Sequence, residues 1–172
     1  MQRILLVLSL VSVLAALAVG AAPVGAAATS AAVISQVYAG GGNAGATYQN
    51  DFVELVNRGS TAVDLTGWTL QYAPAAGTSW QVTPLTGSLA AGRYYLIELA
   101  SAAAIGAPLP TPQVTGTTNL AATGGKVALV RSTAALACGA TVGSCAAVAA
   151  VEDLVGYGTA TDYEGAGAAP GL

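Results

Sequence analysis

The chain has 172 residues, 8 of them acidic and 5 basic, a formal net charge of -3, and no histidine. Without an imidazole it has no Ser-His-Asp or Cys-His catalysis and lacks the commonest zinc ligand, and so few basic residues cannot neutralise the phosphates that a nucleic-acid surface must meet. Charged residues are only 8% of the chain, against about 25% in an ordinary soluble protein, while 22 glycines and 7 prolines point to a turn-rich β-protein.

Residues 1–28 read as an export signal. Arg3 supplies the positive start, residues 4–19 are apolar apart from Ser9 and Ser12, and Gly20, Pro23 and Gly25 then break the helix. Ala26-Ala27-Ala28 offers a small-residue cleavage site. A membrane anchor would need about 20 apolar residues and basic stop-transfer flanks, and the sequence has neither. No cysteine stands at the junction to take a lipid. The expected destination is secretion or the cell surface, with no membrane attachment after cleavage.

Residues 29–164 read as one domain of short strands separated by turns. The expected strands are 32–38, 51–57, 62–65, 68–72, 80–83, 87–89, 93–99, 115–120, 126–130 and 151–155. Such spacing argues for an antiparallel sandwich or barrel. Residues 100–105 and 146–150 are the two places where a helical turn could form. Phe52, Glu54 and Val56 alternate with Val53, Leu55 and Asn57, and both sets mix apolar with polar, so period alone does not say which faces the core. Residues 132–151 are uncharged but carry Ser, Thr and Gly, so they are not a second span. Residues 165–172 are rich in Gly, Ala and Pro and read as a linker or a truncated end.

Cys138 and Cys145 enclose six residues that include Gly139 and Gly143. In an oxidising compartment such a pair forms a local disulfide. A metal site would need further Cys or His ligands, and a redox pair would want Cys-x-x-Cys.

The order of motifs from residue 32 to about 164 resembles the lamin-tail domain family, in its bacterial secreted type. The resemblance rests on Val33-Ile34-Ser35-Gln36-Val37-Tyr38, Asn50-Asp51-Phe52-Val53-Glu54-Leu55-Val56-Asn57-Arg58-Gly59 and Asp64-Leu65-Thr66-Gly67-Trp68-Thr69-Leu70-Gln71-Tyr72. It continues through Leu89-Ala90-Ala91-Gly92-Arg93-Tyr94-Tyr95-Leu96, Gly124-Gly125-Lys126-Val127-Ala128-Leu129-Val130 and Asp153-Leu154-Val155-Gly156-Tyr157-Gly158. It implies an all-β, immunoglobulin-like antiparallel sandwich with no active site of its own. Relatives often carry the module ahead of a metal-dependent endonuclease/exonuclease/phosphatase domain. An ordinary immunoglobulin disulfide joins cysteines far apart in sequence, across sheets about 10 Å apart, whereas Cys138 and Cys145 can only staple a loop.

The expected core is Phe52, Leu55, Trp68, Leu70, Tyr95, Ile97, Val127, Leu129 and Leu154. Trp68 follows the Thr66-Gly67 turn and is expected to fill the centre of the sandwich rather than serve as a stacking platform. Trp80 sits in a loop-rich region and could be buried or exposed.

Gly40-Gly41-Gly42-Asn43-Ala44-Gly45 matches G-x-G-x-x-G, but a strand follows it, so it lacks the helix N-terminus that would hold a pyrophosphate. It reads as a flexible surface loop, and no cofactor is expected. Glu54 is expected to bond a backbone N–H or to pair with Arg58 or Arg93. Glu152, Asp153, Asp162 and Glu164 form a loose acidic group that could take calcium, though they lack regular ligand offsets. The plainer expectation is solvated charge on an alanine-rich surface. Lys126 is the single lysine, and no motif supports it as the base of a Ser-Lys pair.

Three functions remain open: a non-catalytic accessory module, expected to be monomeric, that binds a protein or the cell surface; the front of a secreted metal-dependent nuclease or phosphatase continuing past Leu172; or a stand-alone surface protein docking through a sheet edge.

Overall fold

The computed structural model describes residues 31–171, so the expected signal at 1–28 lies outside the described residues. The strands, in chain order, are β1 (Ala32–Tyr38), β2 (Phe52–Asn57), β3 (Val63–Asp64), β4 (Thr69–Pro74), β5 (Gln81–Pro84), β6 (Ser88–Leu89), β7 (Tyr94–Glu98), β8 (Val114–Thr115), β9 (Gly124–Val130) and β10 (Val151–Gly158). One sheet runs β1-β2-β7-β8, the second runs β10-β9-β4-β5, and β3 pairs with β6 in a small ribbon. All pairings between named strands are antiparallel except β7 with β8. This is the expected all-β, immunoglobulin-like sandwich.

β-branched and aromatic residues form the strands, and glycine turns end them. Gly67 has φ 81, which a side chain rarely adopts, and it closes the turn in which the Trp68 N–H donates to the Leu65 carbonyl at 3.0 Å.

Cross-strand partners settle which face is inside. Ile34, Leu55 and Tyr95 lie in one row and Val37, Val53 and Ile97 in the next, and all pack into the main core. Leu70, Tyr72, Val127, Leu129 and Tyr157 meet them from the second sheet. Thus the Val53, Leu55 and Asn57 side of β2 faces inward. Phe52 belongs to the opposite face. It is buried, but under Tyr38, stacked at 5.3 Å, and Tyr48, edge-on at 5.7 Å, instead of in the sandwich interior. Trp68 is only half-buried at the rim of the core. Its place after a turn at the sheet end puts the indole over the edge of the packing.

The second sheet is covered on its outer face as well. Ala73, Trp80, Ala128, Val130, Cys145 and Leu154 make a second apolar cluster there. Leu154 is therefore a core residue of this cluster and not of the sandwich centre, and Trp80 resolves as buried. The covering layer is the segment 131–150 between β9 and β10. Among the described residues it contains no helix. The expected helical turn at 146–150 is replaced by tight turns, such as Val148 N–H to the Cys145 carbonyl at 2.9 Å, and residues 100–105 are likewise bends and turns.

Gly40-Gly41-Gly42 is packed and not a loose loop. Gly41 and Gly42 are buried, and the Gly41 N–H donates to Asp51 Oδ1 at 2.7 Å. Asp51 Oδ2 takes the Leu120 N–H at 2.7 Å, so one carboxylate ties two loops together. Near the end of the described chain, Ala169 bridges to Tyr157, with the Gly158 N–H donating to the Ala169 carbonyl at 2.8 Å. This part of the expected linker folds back onto β10.

Candidate interaction face and a side-chain-held lid

The lid over the second sheet has few backbone partners of its own. Side chains of the sheet hold it instead, in register with its sequence. Thr69 Oγ1 donates to the Ser132 carbonyl at 2.8 Å, and Gln71 Nε2 donates to the Ala134 carbonyl at 2.9 Å. The Leu136 N–H donates to Gln71 Oε1 at 2.9 Å, and Trp80 Nε1 donates to the Cys138 carbonyl at 2.9 Å. Lys126 Nζ donates to the carbonyls of Gly139 and Gly77, each at 2.7 Å, and to Thr161 Oγ1 at 3.2 Å. Asp162 then accepts from the Gly143 N–H at 2.7 Å, Ser144 Oγ at 2.9 Å and the Cys145 N–H at 2.8 Å. Cys138 and Cys145 are joined by a disulfide.

Lys126 and Asp162 are both fully buried. Burial pulls the Lys126 ammonium below its usual range, and the Asp162 charge opposes that shift. A cation in an otherwise apolar strand was the one visible sign of this site in the sequence. Its use, to hold a loop carbonyl thirteen positions away, has no sequence signature.

The four acidic residues considered for calcium do not converge on one point. Glu152 pairs with Arg131 at 2.8 Å. Asp153 Oδ2 accepts the Ile34 N–H of β1 at 2.6 Å. Burial pushes the Asp153 carboxyl above the usual carboxylate range, against the N–H bonds of Ile34 and Leu154, and the neighbouring Glu164 adds to the rise. Asp162 is filled by N–H and O–H donors, an anion-holding cradle. Among the described residues no group of three His, Cys, Asp or Glu is placed to hold a metal ion. Asp153 and Asp162 are thus not the solvated charges expected. Glu54 also differs from expectation: its Oε1 accepts from Ser35 Oγ at 2.7 Å.

The first sheet presents a different surface. Val33, Val56 and Tyr94 form one outward row, and Gln36, Glu54 and Leu96 form the next. Tyr94 is 62% exposed, while Val33, Val56 and Leu96 are half-buried. Only the third row, Tyr38, Phe52 and Glu98, is roofed, by the loop that carries Tyr48. Apolar and aromatic side chains, with the Glu54 carboxylate among them, are therefore open on this face.

The lamin tail domain model matches residues 25–145. The chain belongs to the lamin tail domain family. This is a non-catalytic, immunoglobulin-like family of interaction modules, which agrees with a chain that has no histidine. The match covers the lamin tail domain from before β1 to the second cysteine of the lid, while β10 lies beyond it. No curated protein matches the chain. Among the described residues no helix is long and apolar enough to cross a membrane, and this, with the disulfide, is compatible with an extracellular protein.

Proposed function

We propose that this lamin tail domain is an exported accessory module that binds a protein partner through the outer face of the β1-β2-β7-β8 sheet. The observation that carries the reading is Tyr94, 62% exposed on an apolar row, on a sheet face whose first two outward rows are open. Tyrosine suits an interface because it brings a large rigid area and a polar tip at little entropic cost. Glu54 stands in the second open row with Gln36 and Leu96, and the chain is net acidic. The partner surface is accordingly an apolar patch flanked by Arg or Lys. Export is supported by the signal-like N-terminal sequence and by the disulfide.

The test places a photo-crosslinking residue at position 94, with exposed Thr78 as the control position. In the native host, position 94 should give a discrete adduct that high salt suppresses, and Thr78 should not. An adduct of twice the chain's own mass would mean a second copy and overturn the reading, as would equal labelling at both positions. Mass measurement of the product in the medium checks export. A much larger product with divalent-metal-dependent nuclease activity would instead make the module the front of an enzyme, and retention on cells would make it a surface protein.

A further inference from the structure

We propose that the Cys138–Cys145 loop is a redox-operated lid over Lys126, closed while the disulfide stands and opened by a dithiol. Three observations meet here. Lys126 is the only lysine of the chain, it is fully buried, and the loop supplies one of its acceptors, the Gly139 carbonyl at 2.7 Å. Gly139 itself leaves no spare room, since a Cβ there would stand 3.0 Å from Lys126 Nζ. The loop belongs to no strand or helix. Its hold is the disulfide, the Trp80 bond to Cys138, the Lys126 and Thr161 bonds to the Gly139 carbonyl, and the three donors on Asp162.

A dithiol delivers two electrons and two protons to the bridge. Cys138 is half-buried and Cys145 buried, so the attacking thiolate meets the Cys138 sulfur and the Cys145 thiolate leaves and takes a proton. The second thiol of the reductant then displaces Cys138, which leaves as a thiol, and the reductant ends as its own disulfide. Losing a staple only seven positions long raises the weight of open loop conformations on the order of 50-fold. The sandwich core does not depend on the bridge, because Cys145 packs only in the second cluster. Opening uncovers the Lys126 amine and the apolar patch around Trp80.

The test uses the folded full chain, acetylated with an N-hydroxysuccinimide ester with and without dithiothreitol, and follows the Lys126 peptide by mass spectrometry. The α-amine serves as an internal reference. Reduction should speed Lys126 acetylation on the order of 50-fold relative to that reference, while the far-ultraviolet dichroism of the sandwich stays unchanged. A Cys138→Ser/Cys145→Ser variant should label at the reduced rate without reductant. An unchanged labelling rate on reduction would overturn the proposal, because the side-chain bonds alone would then close the lid. Labelling that rises only together with loss of the β-sheet signal would overturn it too, because the bridge would then be holding the whole fold.

Discussion

Lys126 and Asp162 place opposite charges where neither meets water, and each is satisfied mostly by backbone groups of loops. Removing Asp162 leaves three donors, the Gly143 N–H, the Ser144 hydroxyl and the Cys145 N–H, without their acceptor. Asp162→Ala should lower the unfolding free energy by about 3–5 kcal/mol, read from urea denaturation. A loss under about 1 kcal/mol would mean that water enters and replaces the carboxylate. Asp153 makes the stability depend on pH, with a sign set by its burial. Its folded pKa is raised above the ordinary 3.8, chiefly by burial, so the folded state keeps a proton that the unfolded chain has lost. That contribution is complete below the unfolded value and disappears as pH rises through the folded one. Asp153→Asn carries no such proton. The melting temperature of the wild type relative to Asp153→Asn should therefore increase between about pH 7 and about pH 4. A difference that is flat with pH would contradict the assignment.

The open edges of the two sheets are each blunted in a different way. β1 has a register shift between Ile34 and Gln36, and Asp153 caps the Ile34 N–H. Ala169 occupies β10 near its end. β5 stops at Pro84, and β8 has only two residues after the Pro110 and Pro112 region. Such devices suppress edge-to-edge pairing, and they leave a sheet face, not an edge, as the open surface. Asp153→Ala leaves the Ile34 N–H without its acceptor, at about 1–3 kcal/mol, and should shift sedimentation toward larger species, whereas Asp153→Asn keeps an acceptor and should not. Gly125 shows the tightness of the interior. A Cβ there would lie 2.5 Å from Tyr72 Cε2 and 2.8 Å from Tyr157 Oη, so Gly125→Ala should cost about 1–3 kcal/mol in thermal or urea melts.

The strands were legible because β-branched runs stand between glycine and proline turns, and every expected run from 32–38 to 151–155 overlaps an observed one. Faces were less legible. β9 is buried at all seven positions, and an unbroken apolar strand cannot say which cover lies on which side. The lid was illegible for a further reason. Its conformation is fixed by Gln71 and Thr69, more than sixty positions away, and by Asp162 beyond β10, and no local period records such bonds. The family pattern marked Trp68 as conspicuous, yet the indole buried with a bonded N–H is Trp80.

At the scale of the whole molecule the sandwich is asymmetric. One sheet is covered on both faces, by the core and by a stapled lid, and the other keeps two of its outward rows open. Covering a face with an irregular loop leaves loop amides and carbonyls that the sheet below must meet, which explains the buried Thr69, Gln71 and Lys126 on the covered side. The open side carries no comparable set of buried polar anchors. On the proposed reading its apolar residues serve association without serving the fold. Tyr94→Arg should consequently leave the unfolding free energy within about 0.5 kcal/mol of wild type, as a surface change does, while abolishing crosslinking from the neighbouring open position 36. If Tyr94→Arg instead destabilises the domain as much as Gly125→Ala does, the outer face is part of the fold, and the asymmetry has no bearing on binding.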